Sequence, residues 1–332
     1  MNDVKNTFLA KCYRGLTGPG GRALVALVLV LAIGVVFNAD GVFFKVGTHR
    51  DALRQVSVYG ILACGMTLVI ITGGIDLAVG SVLALVAMCF SIGLIRWGWS
   101  PWLVVPGSLA VGAACGAVSG ALTARCGIQP FIATLAMMVF ARGLARTLSG
   151  GEKVSMLVVD SQGNLHVPPI LRWIDTRVLH DNLSMVTVIF LVCAGLSWLF
   201  LARHRWGREL YAIGGNEEAA RLSGVPVVWA KTMAYAASGV LAAVAGICQA
   251  AQEQQGDPQG GVAYELTAIA IVVIGGTSLM GGRGGMGLTL LGTLTIGYLD
   301  KILSINAVPE ASRLMLTGVI IVVAVLAQSR RR

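Results

Sequence analysis

GMTLVIITGGIDLAVGS, Gly65 to Ser81, decides how the rest of the chain is read. An apolar run stops at Gly73–Gly74, a lone acid follows at Asp76, and a second apolar run starts at once through Gly80 and Ser81. A glycine pair ends a helix, and an acid at a helix start can accept from the unpaired backbone N–H groups there. Small residues such as Gly80 and Ser81 permit close helix contact. The stretch therefore reads as two helices meeting at a sharp break. Asp76 is either the cap of the second helix or a functional acid at the edge of an apolar layer.

Read outward, the two runs extend over 54–72 and 79–95, and the same texture fills the chain. Of 332 residues, 56% are hydrophobic and 12% charged, with a mean hydropathy of +0.78. A soluble domain carries about 25% charged residues, so this chain cannot cover a water-facing surface and lipid must be its solvent. The 43 glycines agree, because small residues are favoured where membrane helices pack. A membrane helix needs about 20 apolar residues. Candidates fall at 23–43, 54–72, 79–95, 102–123, 129–149, 183–202, 229–250, 265–280, 286–305 and 312–328. The expectation is an all-α polytopic membrane protein of about ten transmembrane helices. Gly275–Gly276 and the run Gly281 to Gly287 interrupt the pair 265–280 and 286–305. The first span follows Lys5, Lys11, Arg14 and Arg22, as a signal peptide would, but it is long and no cleavage site follows, so it reads as a retained helix.

The net charge of +9 does not form one basic patch, which argues against a nucleic-acid partner. The basic residues sort by side instead. An even number of spans puts the amino terminus, the basic stretch 203–231 and the tail Arg330–Arg332 together on the cytoplasmic side. The chain then divides into a cytoplasmic segment 1–22, a membrane domain 23–328 and a basic cytoplasmic tail 329–332. Two long polar connections remain, 150–182 outside and 203–228 inside, with tight turns elsewhere. There is no soluble domain and no G-x-x-x-x-G-K-[ST] phosphate loop, so the polypeptide is not expected to hydrolyse ATP or act as an enzyme by itself. Seven scattered cysteines and four histidines in polar connections show no metal or redox spacing.

Within 203–228, Gly214–Gly215–Asn216 breaks the chain. Asn216 can cap a short helix, Glu217 to Leu222, and Gly224 can end it. Glu217 and Glu218 fall in the first turn, where the helix dipole favours negative charge, and Arg221 follows Glu217 at i+4. Ala219, Ala220 and Leu222 make one side small and apolar. The segment is either an ordinary capped surface helix or a docking helix for a cytoplasmic partner. The stretch Tyr264 to Gly292 holds Glu265, Gly275, Gly276, Thr277, Gly281, Gly282 and Gly284. It cannot form an unbroken helix, and reads as a tight turn or a pathway-lining bend. Arg142 lies late in the apolar run PFIATLAMMVFARGLA (Pro130 to Ala145), where it must snorkel, pair or face a cavity.

These four stretches resemble, in order, motifs of ABC importer permeases of the ribose, xylose, arabinose and galactose type, within the branched-chain amino acid/sugar permease superfamily. YAIGGNEEAARLSGV (Tyr211 to Val225) is similar to that family's coupling loop, approximately G-x-N-x-x-A-A-x-x-x-G, through Gly214, Asn216, Ala219, Ala220 and Gly224. GMTLVIITGGIDLAVGS follows its G-M-T-x-V-I-x-x-x-G-I-D-L-S-V-G-S pattern, with Ala78 where Ser is commoner. Glu265 to Gly284 fit E-x-x-A-I-A-x-x-x-x-G-G-T-x-L-x-G-G-x-G, and Thr134, Leu135, Arg142 and Gly143 fit the fourth motif. The resemblance spans about 50–328 and implies a type II importer-like permease in the cell inner membrane.

It also implies partners: a second permease subunit, identical or related, two ATPase subunits that bind the ATP under the coupling helices, and a periplasmic binding protein that delivers a sugar. No cofactor is implied for the permease itself. The near-absence of ionisable side chains in mid-span agrees with a neutral cargo, since Glu265, Asp300, Lys301 and Arg313 lie near span ends. Permeases for branched-chain amino acids, nucleosides or an autoinducer are nearby alternatives. An ion-coupled secondary transporter would usually need mid-membrane acids, and only Asp76 is a candidate.

Overall fold

The computed structural model describes residues 18–159 and 165–329. The amino-terminal segment up to residue 17, residues 160–164 of the connection 150–182 and the tail Arg330–Arg332 lie outside the described residues. Ten helices lie where the sequence predicts spans: α1 Pro19–Val36, α2 Val46–Ile71, α3 Val79–Ser91, α4 Pro101–Ala124, α5 Pro130–Ser149, α7 Met185–Arg203, α10 Val227–Glu253, α11 Tyr264–Gly275, α12 Met286–Ile305 and α13 Glu310–Ser329. Between them sit α6 Pro169–Asp175, α8 Arg205–Gly215 and α9 Glu217–Leu222. Sheet structure among the described residues is limited to three two-residue antiparallel ladders. The chain is an all-α polytopic membrane protein.

Among the described residues, seven of these helices are long and apolar enough to cross a membrane, α3 counting with the π turn Ile92–Arg96 that continues it. Several ends differ from expectation for local reasons. The first span stops at Val36 rather than 43, because Asn38 accepts from the Gly41 amide and Gly41 turns the chain at φ +83° into a 3₁₀ turn, Val42–Phe44. The second starts at Val46, eight residues early. The expected span 265–280 is the twelve-residue α11, about 18 Å long, and cannot by itself cross an apolar layer about 30 Å thick. The connection 254–263 is more than a tight turn: Gln255–Gly256 pairs with Val154–Ser155 of the 150–182 segment.

The centre of the bundle is α2, α3 and α10, with Ile61, Met66, Ile70, Leu83, Met88 and Phe90 fully buried. α10 lies along α4 so closely that methyl groups at Gly112 and Gly116 would overlap the carbonyl oxygens of Gly239 and Tyr235. Such backbone contact between membrane helices is why small residues recur at four-residue spacing there. Elsewhere hydroxyls bridge helices, Thr67 to Thr289 at 2.7 Å (α2–α12) and Ser57 to Thr187 at 3.0 Å (α2–α7). α5, α7 and α13 turn Val139, Phe140, Leu196 and Met315 outward, as lipid-facing surfaces do.

Candidate functional site

The connection 203–228 folds as the sequence predicts at its tip, with one further helix before it. Asn216 adopts an extended conformation and its Oδ1 accepts from the Ala219 amide at 3.0 Å, starting α9. Arg221 reaches Glu217 at 3.3 Å and Glu218 at 3.8 Å, and Lys231 of α10 also pairs with Glu217. Gly224, at φ +81°, donates to the Arg221 carbonyl while the Val225 amide donates to that of Ala220, closing the helix end. Ala220 is buried, whereas Leu222 is 82% exposed at the tip.

The helix α8, which the sequence reading missed, carries this tip to the bundle. His204 Nδ1 accepts from the Trp206 amide at 3.3 Å to start it, and Arg205 pairs with Glu209 at 2.8 Å along its flank. Its far end touches the membrane helices through backbone. A methyl group at Gly214 would overlap the carbonyl oxygen of Ile71, the last residue of α2, and the amide of Gly282. That amide donates to the same Ile71 oxygen at 2.9 Å. A Cβ at Gly281 would lie 2.8 Å from the Gly73 amide and 3.0 Å from Gly214 Cα. The Tyr211 hydroxyl donates to the Gly284 carbonyl at 3.0 Å, and burial pushes its pKa up, which keeps it a donor. Three stretches far apart in sequence, around Gly73, Gly214 and Gly282, thus meet at one junction with no side chain between them.

The Gly-rich stretch is a turn after α11. Gly276, Gly281, Gly282 and Gly284 all hold positive φ, and the Ser278 amide donates to the Arg283 carbonyl at 2.9 Å across it. Thr277 is buried, and Gly275 presses on the Leu288 backbone of α12.

Asp76 is not the helix cap that the sequence suggests. α3 begins at Val79 with Ala78 as its cap residue and no side-chain cap bond. Asp76 lies two residues earlier, 3% exposed. Its Oδ1 accepts from the Ala78 amide at 3.0 Å and its Oδ2 from Ser238 Oγ of α10 at 2.8 Å. The carboxyl group therefore ties the α2–α3 break to the central helix. Thr134 of α5 donates to the neighbouring Ile75 carbonyl at 3.3 Å. A Cβ at Gly80 would overlap the Gly261 carbonyl and lie 2.6 Å from Glu265, so those two elements meet here, and Ser81 is buried beside them. Arg142 pairs rather than snorkels: its Nη1 donates to the carbonyls of Pro258 at 2.9 Å and Gly260 at 2.6 Å. It stands apart from the junction and fixes the 254–263 connection. Ser238, Ile71 and Tyr211 were not candidates from sequence, since nothing local to them signals their partners.

Apolar spans broken by glycine turns, joined to a capped helix at one end, define a multi-pass membrane transport subunit. The chain belongs to the family described as branched-chain amino acid transport system / permease component, which matches residues 50–325, and it is a transport component rather than an enzyme. It is 37% identical over 314 residues to the ribose import permease RbsC of Escherichia coli, covering 94% of each chain. With RbsC of Bacillus subtilis it shares 37% over 311 residues, 94% of this chain and 92% of the relative. The fructose import permease FrcC of Rhizobium meliloti is 34% identical over 314 residues, 93% of this chain and 85% of that one. No solved structure matches the chain.

Proposed function

We propose that this chain is the membrane-spanning permease subunit of an ATP-dependent ABC importer for a monosaccharide, placed in the inner membrane with both termini cytoplasmic. The observation that carries the reading is similarity along nearly the whole chain to ribose and fructose import permeases, in a fold whose capped helix α9 leads by backbone contact to the broken spans. Separate ATPase subunits bind ATP and seat α9. A periplasmic binding protein brings the sugar to the face that carries 150–182. A second permease subunit, identical or related, completes the path.

In this reading, closure of the ATPases displaces the segment Gly214, Gly215, Asn216, Glu217, Glu218, Ala219, Ala220, Arg221, Leu222 and Gly224 as one body. Backbone in contact with backbone has no soft side chain to absorb the movement. The push reaches the end of α2 at Ile71–Gly73 and the turn at Gly281–Gly284 together. From there it passes to the α2–α3 break, with Asp76 and Thr134, and to the start of α12.

Proteoliposomes holding the permease with its ATPase subunits, supplied with the loaded binding protein, test the reading. D-Ribose or D-fructose should accumulate only with internal ATP, and dissipating ion gradients should leave the rate unchanged. Uptake that follows a proton or sodium gradient without ATP would contradict it, and so would ATP-driven uptake of L-leucine in place of both sugars.

A further inference from the structure

A second polar group lies at the other end of the bundle. Gln249 of α10 is 7% exposed. Its Nε2 donates to Glu253 Oε1 at 2.8 Å and to the Tyr264 hydroxyl at 3.3 Å. The carboxylate fixes the orientation of the amide, because a carboxylate must face the donor and not the carbonyl oxygen. Gln249 Oε1 is then a buried acceptor with no partner. Leaving such an acceptor empty is costly, and a polar side chain within a span marks a functional position. Beside it the rings of Tyr59 and Tyr264 sit 4.5 Å apart, tilted by 55° and partly exposed. Glu253 is exposed.

The position suits an entrance. Tyr59 lies five residues along α2 from Arg54, roughly 7–8 Å of helix rise. Arg54 in turn pairs with Asp175 of the 150–182 segment and accepts from Gln252 at its carbonyl, 3.2 Å away. Gly260 packs over the Gln249 amide, and its turn is tied down by Arg142, by Lys153 to Asp257 at 2.8 Å and by Arg146 to Gln259 at 3.0 Å.

We propose that Tyr59, Gln249, Glu253 and Tyr264 form a binding subsite for a neutral monosaccharide on its way through the bundle, with the 257–261 turn as its cover. The assignment rests on the importer reading above. A sugar hydroxyl supplies the donor that Gln249 Oε1 lacks, and another reaches the outer oxygen of Glu253. The C–H face of the sugar ring lies on the Tyr59 and Tyr264 rings. A few fixed polar groups beside aromatic surface is the usual make-up of a small-molecule site. A cation is a poorer fit, because the Gln249 amide already donates to the carboxylate that would hold it.

Saturation-transfer NMR on the intact permease in lipid nanodiscs tests this without ATP or partners, using D-ribose, D-fructose and L-leucine as probes. Transfer to the ring protons of at least one sugar is expected, with none to L-leucine. Gln249→Met keeps the side-chain volume and should weaken the apparent affinity about tenfold. Tyr264→Phe removes only the hydroxyl and should weaken it about threefold. It also serves should Gln249→Met fail to insert. No sugar signal from the wild type, a signal from L-leucine alone, or variants within about twofold of the wild type would each overturn the subsite. Uptake is measured separately on the assembled wild type. Sugar contact without ATP-driven uptake overturns the importer reading and leaves the subsite standing. Uptake without contact does the reverse.

Discussion

Gly214→Ala is expected to cut ATP-driven uptake about 10- to 100-fold while membrane abundance stays near wild type. The added methyl group has nowhere to go: it overlaps the Ile71 carbonyl and the Gly282 amide, both backbone. Overpacking a close contact costs about 1–3 kcal/mol, and each 1.4 kcal/mol is about tenfold in a rate. The strain falls on the one place where α8, the end of α2 and the Gly-rich turn meet, so it should alter the response to ATP before it alters insertion into the bilayer. Gly215→Ala is the matched control. Nothing lies within 4 Å of a Cβ there, and an open helical site tolerates alanine, so uptake should stay within about twofold. Equal losses in the two variants would mean that the junction is not the transmitting contact.

The second large effect is expected at Asp76. Asp76→Leu removes both acceptors and leaves the buried Ala78 amide without its side-chain partner, which costs about 1–3 kcal/mol. A fall of a few degrees in the melting temperature of the purified permease follows, at about 1–2 °C per kcal/mol for a chain of this length. Asp76→Asn keeps Oδ1 for the Ala78 amide, and its Nδ2 can donate to Ser238 Oγ. It should lose less than half as much stability and still transport sugar. The pair also separates an importer from an ion-coupled carrier. A carrier that loads its ion on Asp76 would lose coupled transport in Asp76→Asn although the fold is intact.

These two residues mark how far the sequence could be read. The helix Glu217–Leu222 was legible because its signals are local: Asn216, the acid pair, Arg221 and Gly224 all act within nine residues. The helical runs were legible because lipid demands long apolar stretches, although seven of the ten, among the described residues, have the length and apolarity of a span. The partner of Asp76 was not, since Ser238 is 162 positions away and a buried hydrogen bond leaves no periodic trace. Nor could the sequence tell Gly214 from Gly215, which differ only in what other stretches press against them. α8 carries no such signal, because an eleven-residue helix has neither the length nor the apolarity of a span. α11 was read too long because its apolar composition runs on through Gly276, where a φ of +105° ends the helix.

The central claim is that α9 projects on the cytoplasmic side and is gripped there by the ATPase. The most direct measurement places a single thiol at its tip, Leu222→Cys with every native cysteine replaced by serine, and treats sealed vesicles with a membrane-impermeant maleimide. Inside-out vesicles stripped of ATPase subunits should label quickly, right-side-out vesicles should not, and adding the ATPase subunits back should protect the thiol. Labelling from the right-side-out face, or labelling inside that the ATPase subunits leave unchanged, would contradict the account.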